Sequence, residues 1–369
     1  LIEKSSGREL VDQSSKYVIG QFLHERFSQN EVDKWFNAYS RIKDGWGLND
    51  LGKPGMPNAT ESPYLAFTPI AWKINVIHAA VADIAILTSD STDGFARRYT
   101  LTFTFPRDAA YVDVKWSVDS KTPEKIPEGG WLCFPFSVKK PIFTIGRLGG
   151  PIDPAKDIIP GTSRYLMAVT TGVAITEPNK SGMALTSEDA PLLSLGEPGL
   201  WKFSMDHVPT VPSVFVNLYN NMWNTNYPLW QDGSWTERVR IWPVGKGSQT
   251  IPNLTQYGWE TRLPLLTGVA GGNPGNLPAT KTGISVSRVG ILITAFGKNP
   301  DGDGTILRLW EQAGISGSCT VKLGIGNSLK AVIPIDLRGN TIGKKISVNK
   351  GTFSFYLRKY APASFLLVY

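Results

Sequence analysis

Histidine, cysteine and long apolar runs are scarce in this sequence, and each scarcity removes a class of function. The 369 residues contain only three histidines, His24, His78 and His207, and none stands in an H-x-x-x-H or H-x-D pair. The compact spacings that aim two imidazoles at one zinc ion are absent, so no self-contained catalytic metal is expected. His207 is the most suggestive of the three because Asp206 adjoins it, but structural roles are expected for all. There are two cysteines, Cys133 in WLCFPF and Cys319 in GSCTVKL. Both sit in apolar, strand-like surroundings and read as buried free thiols, able to pair only if two cores abut. No run approaches 18 apolar residues, so no membrane span is expected and the chain reads as soluble. Neither a G-x-S-x-G elbow, a P-loop nor a dinucleotide fingerprint occurs, which leaves serine hydrolase, kinase and dehydrogenase readings without support.

Charge is also sparse, at 19% of residues, and its balance of +7 is spread out. The tightest basic groups are the doublets Arg97-Arg98, Lys139-Lys140 and Lys344-Lys345, each set among apolar or turn residues. A nucleic-acid stripe needs clustering, so nucleic acid is not an expected partner. The sequence opens at Leu1 inside a strand-and-turn phrase, which suggests a piece of a longer polypeptide. Any export signal would then lie upstream, and a periplasmic or extracellular location stays open.

What is present is β structure. Tyr99, Leu101, Phe103 and Phe105 alternate strictly, and the runs AWKINVIHAAVADIAILTS, AYVDVKWSVD and GGWLCFPFSV read as further strands. Leu1 and Ile2 before, and Leu10 and Val11 after, Ser5-Ser6-Gly7 suggest an N-terminal hairpin. Ser28 three residues before Glu31 forms a capping box for one short helix carrying Val32, Trp35, Phe36 and Tyr39 on a single face. Residues 44–69, rich in Gly, Pro and Asn, read as a long surface loop. A second Gly- and Pro-rich stretch, GVAGGNPGNLPATKTG, suggests an interdomain crossing, dividing the chain into 1–275 and 276–369. The last ninety or so residues carry five or more strands, enough for a small sandwich.

Chemistry-bearing motifs are few. Paired glycosidase carboxylates have no short signature, and Asp189, Asp206, Asp232, Glu237, Asp301, Asp303 and Glu311 are all formal candidates. DGDG at 301–304 has alternating carboxylates but not the remaining ligands of a calcium loop, and reads as a hairpin turn. Sequons begin at Asn58, Asn179 and Asn253. The most distinctive segment is NLYNNMWNTNYPLWQDGSW, 217–235, with five Asn, three Trp and two Tyr. Amides donate and accept at once, matching sugar hydroxyls, and indoles stack on pyranose faces. Asn caps and turns with Trp in a core would explain the same composition equally well.

NNMWNTNYPLW at 220–230, DGDGTILRLWEQAG at 301–314 after RVGILITAFG, and SGRELVD followed by GQFLHERFS together resemble the C-terminal β-domains of glycoside hydrolase family 38 α-mannosidases, in a divergent bacterial branch. The resemblance implies a mainly β fold: a large antiparallel supersandwich, similar to galactose mutarotase, followed by a smaller β-sandwich. It implies that zinc, its Asp and His ligands and the carboxylate nucleophile belong to an N-terminal catalytic domain of the same polypeptide, leaving no cofactor and no catalytic residue here. It further implies a carbohydrate partner, with Asn220, Asn221, Trp223, Asn224, Thr225 and Asn226 at the sugar rim or in interface packing, and Tyr227 and Trp230 as stacking side chains. Two other functions stay open. One is a stand-alone carbohydrate-binding or structural sandwich. The other is a mutarotase- or lyase-like enzyme, which requires His207 or His78 beside an acid in a pocket.

Overall fold

The computed structural model describes residues 1–369 except 51, 54, 91–93, 180, 246–248, 264, 270, 273, 274, 277, 279 and 325–327, and the side chains at 48 and 49. Strand alternation decides the architecture of the first of its two compact units, Leu1–Arg147 with Ile152–Ser248. Two antiparallel sheets face each other. Eight strands of the larger sheet lie in the order Ile142–Arg147, Gly172–Thr176, Gly182–Ser187, Gly233–Val244, Val112–Lys121, Arg98–Pro106, Ala82–Asp90, Lys73–His78. The smaller sheet runs Met167–Ala168, Leu192–Leu195, Ser213–Asn220, Glu128–Pro135, Gln21–Arg26, Leu65–Phe67.

Alternate side chains meet between the sheets: Tyr99, Leu101, Val114, Trp116 and Val118 from the larger, Phe22, Leu132, Phe134, Val214 and Val216 from the smaller. The other face of the smaller sheet is covered too. Leu23, Trp131, Cys133 and Phe215 pack there against Val32 and Trp35 of the helix Gln29–Tyr39 and against Leu200, Trp201 and Met222. Strand Glu128–Pro135 is therefore buried at every residue. That explains why GGWLCFPF reads as a continuous apolar run instead of an alternation. At the other extreme, the edge strand Lys73–His78 is exposed throughout.

The expected local devices are present. Ile2 pairs with Glu9 and Glu3 with Arg8 in the N-terminal hairpin. At the helix start the Ser28 N–H donates to Glu31 Oε2 at 2.9 Å while Ser28 Oγ accepts from Asn30 N at 3.2 Å, closing the capping box.

The second unit comprises Leu148–Pro151 and Gln249–Tyr369. A three-stranded sheet (Ile284–Val286, Gly317–Leu323, Thr352–Leu357) and a four-stranded sheet (Ile291–Lys298, Thr305–Glu311, Pro362–Val368, Ala331–Ile335) enclose Leu307, Leu309, Cys319, Val321, Val332, Phe353 and Leu367. The DGDG turn closes the hairpin between Lys298 and Thr305, with the Asn299 N–H donating to Gly304 O at 3.0 Å. Cys133 and Cys319 are free and lie in the cores of different units.

One expectation needs correction. The fold holds more helix than one short N-terminal segment: Trp46–Asp50 lies inside the presumed loop, and Thr250–Arg262 forms three turns. Pro252 in the first turn lacks an N–H that would have had no helical partner anyway, so it does not break this helix, although it masked it in the sequence. The two compact units divide at 248/249, whereas the glycine-rich stretch suggests 275/276. The helix packs within the second unit, where Thr255 Oγ1 donates to Gln312 O at 3.4 Å and Trp259 Nε1 to Gln312 Oε1 at 3.2 Å.

Candidate functional site

The segment 217–235 begins on the strand Ser213–Asn220 and leaves it through a bulge. Asn217 pairs with Trp131 but Tyr219 with Gly130, an extra residue that turns the Tyr219 ring toward the space between the sheets. Gly130 makes this posture feasible, because a Cβ there would lie 2.2 Å from Tyr219 Cε1. The Tyr219 hydroxyl stands 2.8 Å from His24 Nδ1. His24 Nε2 in turn faces Glu128 Oε2 at 3.8 Å, both wholly buried and neither atom hydrogen-bonded among the described residues. Lys121 Nζ closes the group, 2.5 Å from Glu128 Oε1 and 2.8 Å from the carbonyl oxygen of Gln231.

Burial dominates the electrostatics of this interior group. It lowers the His24 imidazole to about 3, with the positive charges of Lys121 and Arg26 adding to the effect. Burial raises Glu128 to about 7 against the pull of Lys121. Lys53 is lowered to about 8, again by burial, with Glu128 opposing.

These groups hold the Asn-rich segment from inside. Asn221 Oδ1 accepts from Glu128 N at 2.7 Å, while its Nδ2 donates to the carbonyl oxygens of Glu124, Ile126 and Leu229 at 3.1–3.2 Å. Lys53 Nζ donates to Trp223 O at 3.3 Å and Leu229 O at 3.4 Å. Asn220 Nδ2 donates to Asn217 Oδ1 at 2.7 Å. Trp223 packs edge-on against Trp35, centroids 5.8 Å apart, and near Tyr39. Asn226 takes a left-handed backbone, φ 62°, a conformation asparagine tolerates well. Of the residues expected at a sugar rim, Asn221 and Trp223 thus have structural occupations. Asn224 and Thr225 are half-buried, and Asn226, Tyr227 and Trp230 stand exposed.

A separate cleft of about 550 Å³ opens in the first unit, and none of its lining belongs to 217–235. Glu25, directed away from the inter-sheet core, supplies its acid. Its Oε1 accepts from the Tyr64 hydroxyl and its Oε2 from Trp131 Nε1, both at 2.7 Å. Burial raises the Glu25 carboxyl, and the two bonds hold it back. Burial also pushes the Tyr17 hydroxyl up to about 12. Beside them, Lys202 Nζ lies 2.9 Å from Glu197 Oε2, and His207 stacks on Tyr165 at 4.4 Å with its Nε2 lacking a hydrogen-bond partner among the described residues.

The other nominated residues are spread out. His78 Nδ1 meets Asp83 Oδ1 at 2.9 Å on the exposed edge strand. Asp206 accepts from Ser204 Oγ at 2.6 Å. Asp189 is forked by Arg238 at 2.7 and 2.9 Å. Glu237, pushed up to about 7 by burial and then by Asp189, stands on the strand Gly233–Val244. Asp301 and Asp303 belong to the hairpin turn, and Asp232 is exposed. Glu311 has a structural role: its carboxylate accepts from the backbone N–H groups of Ala313, Gly314, Ile315 and Tyr360 at 2.8–3.1 Å, which accounts for the phrase RLWEQAG. Among the described residues no three His, Cys, Asp or Glu side chains are grouped to hold a metal ion, and no helix is long and apolar enough to cross a membrane. Sequence reasoning missed Glu25, Tyr17, Tyr64 and Lys202 because they come from three separate stretches, 17–25, 64 and 202. The one available signal was the acid at an alternating position of FLHER, opposite Gly129.

The chain is thus built of two successive antiparallel β-sandwiches. It is similar in structure to a glycosyl hydrolase family 38 protein from Enterococcus faecalis, at 10% identity over 99% of this chain and 41% of that chain, with a TM-score of 0.66. An alpha-mannosidase from Enterococcus faecalis V583 matches at 10% identity over 99% of this chain and 40% of that one, TM-score 0.65. The resemblance expected from the three sequence phrases is borne out at the level of fold, and the chain spans about two-fifths of the length of these proteins. A galactose mutarotase-like protein from Lactobacillus casei ATCC 334 matches at 11% identity over 66% of this chain and 92% of that chain, but its TM-score of 0.32 is too low to bear on function. No family model matches the sequence, and no curated protein does.

Proposed function

We propose that this chain is the β-rich, non-catalytic region of a glycosidase resembling the family 38 α-mannosidases, C-terminal to the catalytic domain of the same polypeptide. It supports that domain and shapes the rim of its sugar site. The observation that carries this reading is the fold likeness across 99% of the chain to two-fifths of an enterococcal family 38 protein. The loop after Asn220 supports the rim role. Its carbonyls are tied down by Asn221, Lys53 and Lys121, so Tyr227 and Trp230 are presented outward on a held backbone. Flat rings on a fixed support suit pyranose stacking at low entropic cost. Zinc, which this reading implies for the parent, fits no residue group described here and would be held by the catalytic domain.

The mutarotase- or lyase-like alternative gains no matching observation. His207 Nε2 has no hydrogen-bond partner among the described residues, and His78, which meets Asp83 of the neighbouring strand, stands exposed on an edge strand.

The purified 369-residue chain, supplied with zinc, should leave p-nitrophenyl α-D-mannopyranoside unhydrolysed. Turnover at the rate of a complete family 38 α-mannosidase would overturn the division of labour. In the full polypeptide, Trp230→Ala should raise KM about tenfold, the loss of one stacking ring, with kcat little changed.

A further inference from the structure

The Glu25 cleft is left unused by the function proposed above, yet it has the composition of a binding site. Its volume of about 550 Å³ falls in the range of ligand pockets, roughly 300–1,000 Å³. Its acid is fixed, because Glu25 is 7% exposed and held at both oxygens by Tyr64 and Trp131. Each oxygen accepts one bond there and retains a lone pair. One buried polar atom at the cleft, His207 Nε2, has no hydrogen-bond partner among the described residues, and Tyr17 lines the cleft beside it. The Tyr17 ring itself is fixed edge-on against Phe215, centroids 5.1 Å apart.

We propose that this cleft is a subsite for a neutral saccharide, a terminal pyranose or a short oligosaccharide. Glu25 accepts from sugar hydroxyls, and the Tyr17 hydroxyl and His207 Nε2 bond to others. Charge selects the class. Three carboxylates, Asp12, Glu25 and Glu197, line it with two ammonium groups, Lys16 and Lys202, so acids outnumber lysines. A phosphorylated or otherwise anionic sugar is repelled, whereas a hydroxyl, donor and acceptor at once, satisfies both kinds of partner. The choice of saccharide rests on the glycosidase reading; the cleft and its fixed acid do not.

The test is ligand-observed NMR and calorimetry on the whole chain with methyl α-D-mannopyranoside, methyl β-D-galactopyranoside and mannose 6-phosphate. At least one neutral glycoside should bind, and more tightly than mannose 6-phosphate. Glu25→Gln should weaken it about tenfold, the loss of one charge-assisted hydrogen bond, and Tyr17→Phe severalfold. Tyr356→Ala, exposed in the other unit, should change nothing. Should Glu25→Gln fail to fold, Tyr17→Phe decides alone, because it keeps the ring in place. Silence from both neutral glycosides, tighter binding of the phosphate, or loss in Trp230→Ala with retention in both cleft variants would overturn the subsite. None of those results touches the glycosidase reading, which falls instead to aryl-mannoside turnover by this chain.

Discussion

His24 is a charge-capable residue enclosed in an apolar space, and its surroundings fix how it titrates. It lies at 0% exposure with its ring 4.3 Å from that of Phe95, and Tyr219 and Glu128 at its two nitrogens. Its folded value of about 3 lies below the ordinary 6.5. As the pH falls, the unfolded chain takes up this proton first, so the stability His24 contributes when neutral is lost between 6.5 and about 3. Glu128 acts in the opposite sense over part of that window, because its raised value makes the folded chain the first to protonate between about 7 and 4.5. Comparing the wild type with His24→Gln, which can still bond Tyr219, isolates the histidine. The wild type should lose stability relative to the variant at up to about 1.4 kcal/mol per pH unit between 6.5 and 3, read from urea unfolding at several pH values. Parallel pH profiles would show that His24 is solvated. Nothing in the phrase FLHER announces this, since the partners lie at 128 and 219 and meet it only through strand pairing and a bulge.

At the scale of elements, the loop following Asn220 is held as a unit by side chains that are not part of its surface. Asn221 uses its amide on one N–H and three carbonyls, and Lys53 reaches two carbonyls of the same loop. Asn221→Ala would strip these partners from buried backbone groups at a cost of about 2–3 kcal/mol. That cost should be local: amide exchange over residues 220–231 should accelerate about tenfold or more, while the strand containing Leu132 and Phe134 stays protected. Uniform acceleration across both would mean that the amide supports the sheet and not the loop. Composition alone allowed two roles for these asparagines, and the structure divides them along the segment, Asn221 inward and Asn226 outward. The helices show the same limit of local signals. Ser28 and Glu31 are neighbours in sequence and declared the first helix, whereas Thr250–Arg262 has Gln249 at its N-cap without a side-chain bond and carries Pro252 and Gly258 inside. Packing sustains the second helix, and packing has no short signature.

For the whole molecule, the two units have separate hydrophobic clusters, one around Trp116 and Leu132, the other around Leu309 and Val332. Separate cores make separate cooperative blocks, so calorimetry should resolve two transitions. Leu309→Ala removes a wholly buried side chain at about 2–5 kcal/mol, and should lower the smaller block's midpoint by roughly 10–20 °C while leaving the other in place. Trp259→Ala then decides to which block the overlooked helix belongs. Glycine and proline enrichment marked residues 268–283 as the crossing, but enrichment reports only where backbone is free to turn. Trp259 Nε1 and Thr255 Oγ1 instead reach Gln312, across that stretch. The Trp259→Ala midpoint shift should therefore appear in the same transition as that of Leu309→Ala. A shift in the larger unit's transition would return the boundary to 275/276 and make the helix the last element of the first sandwich.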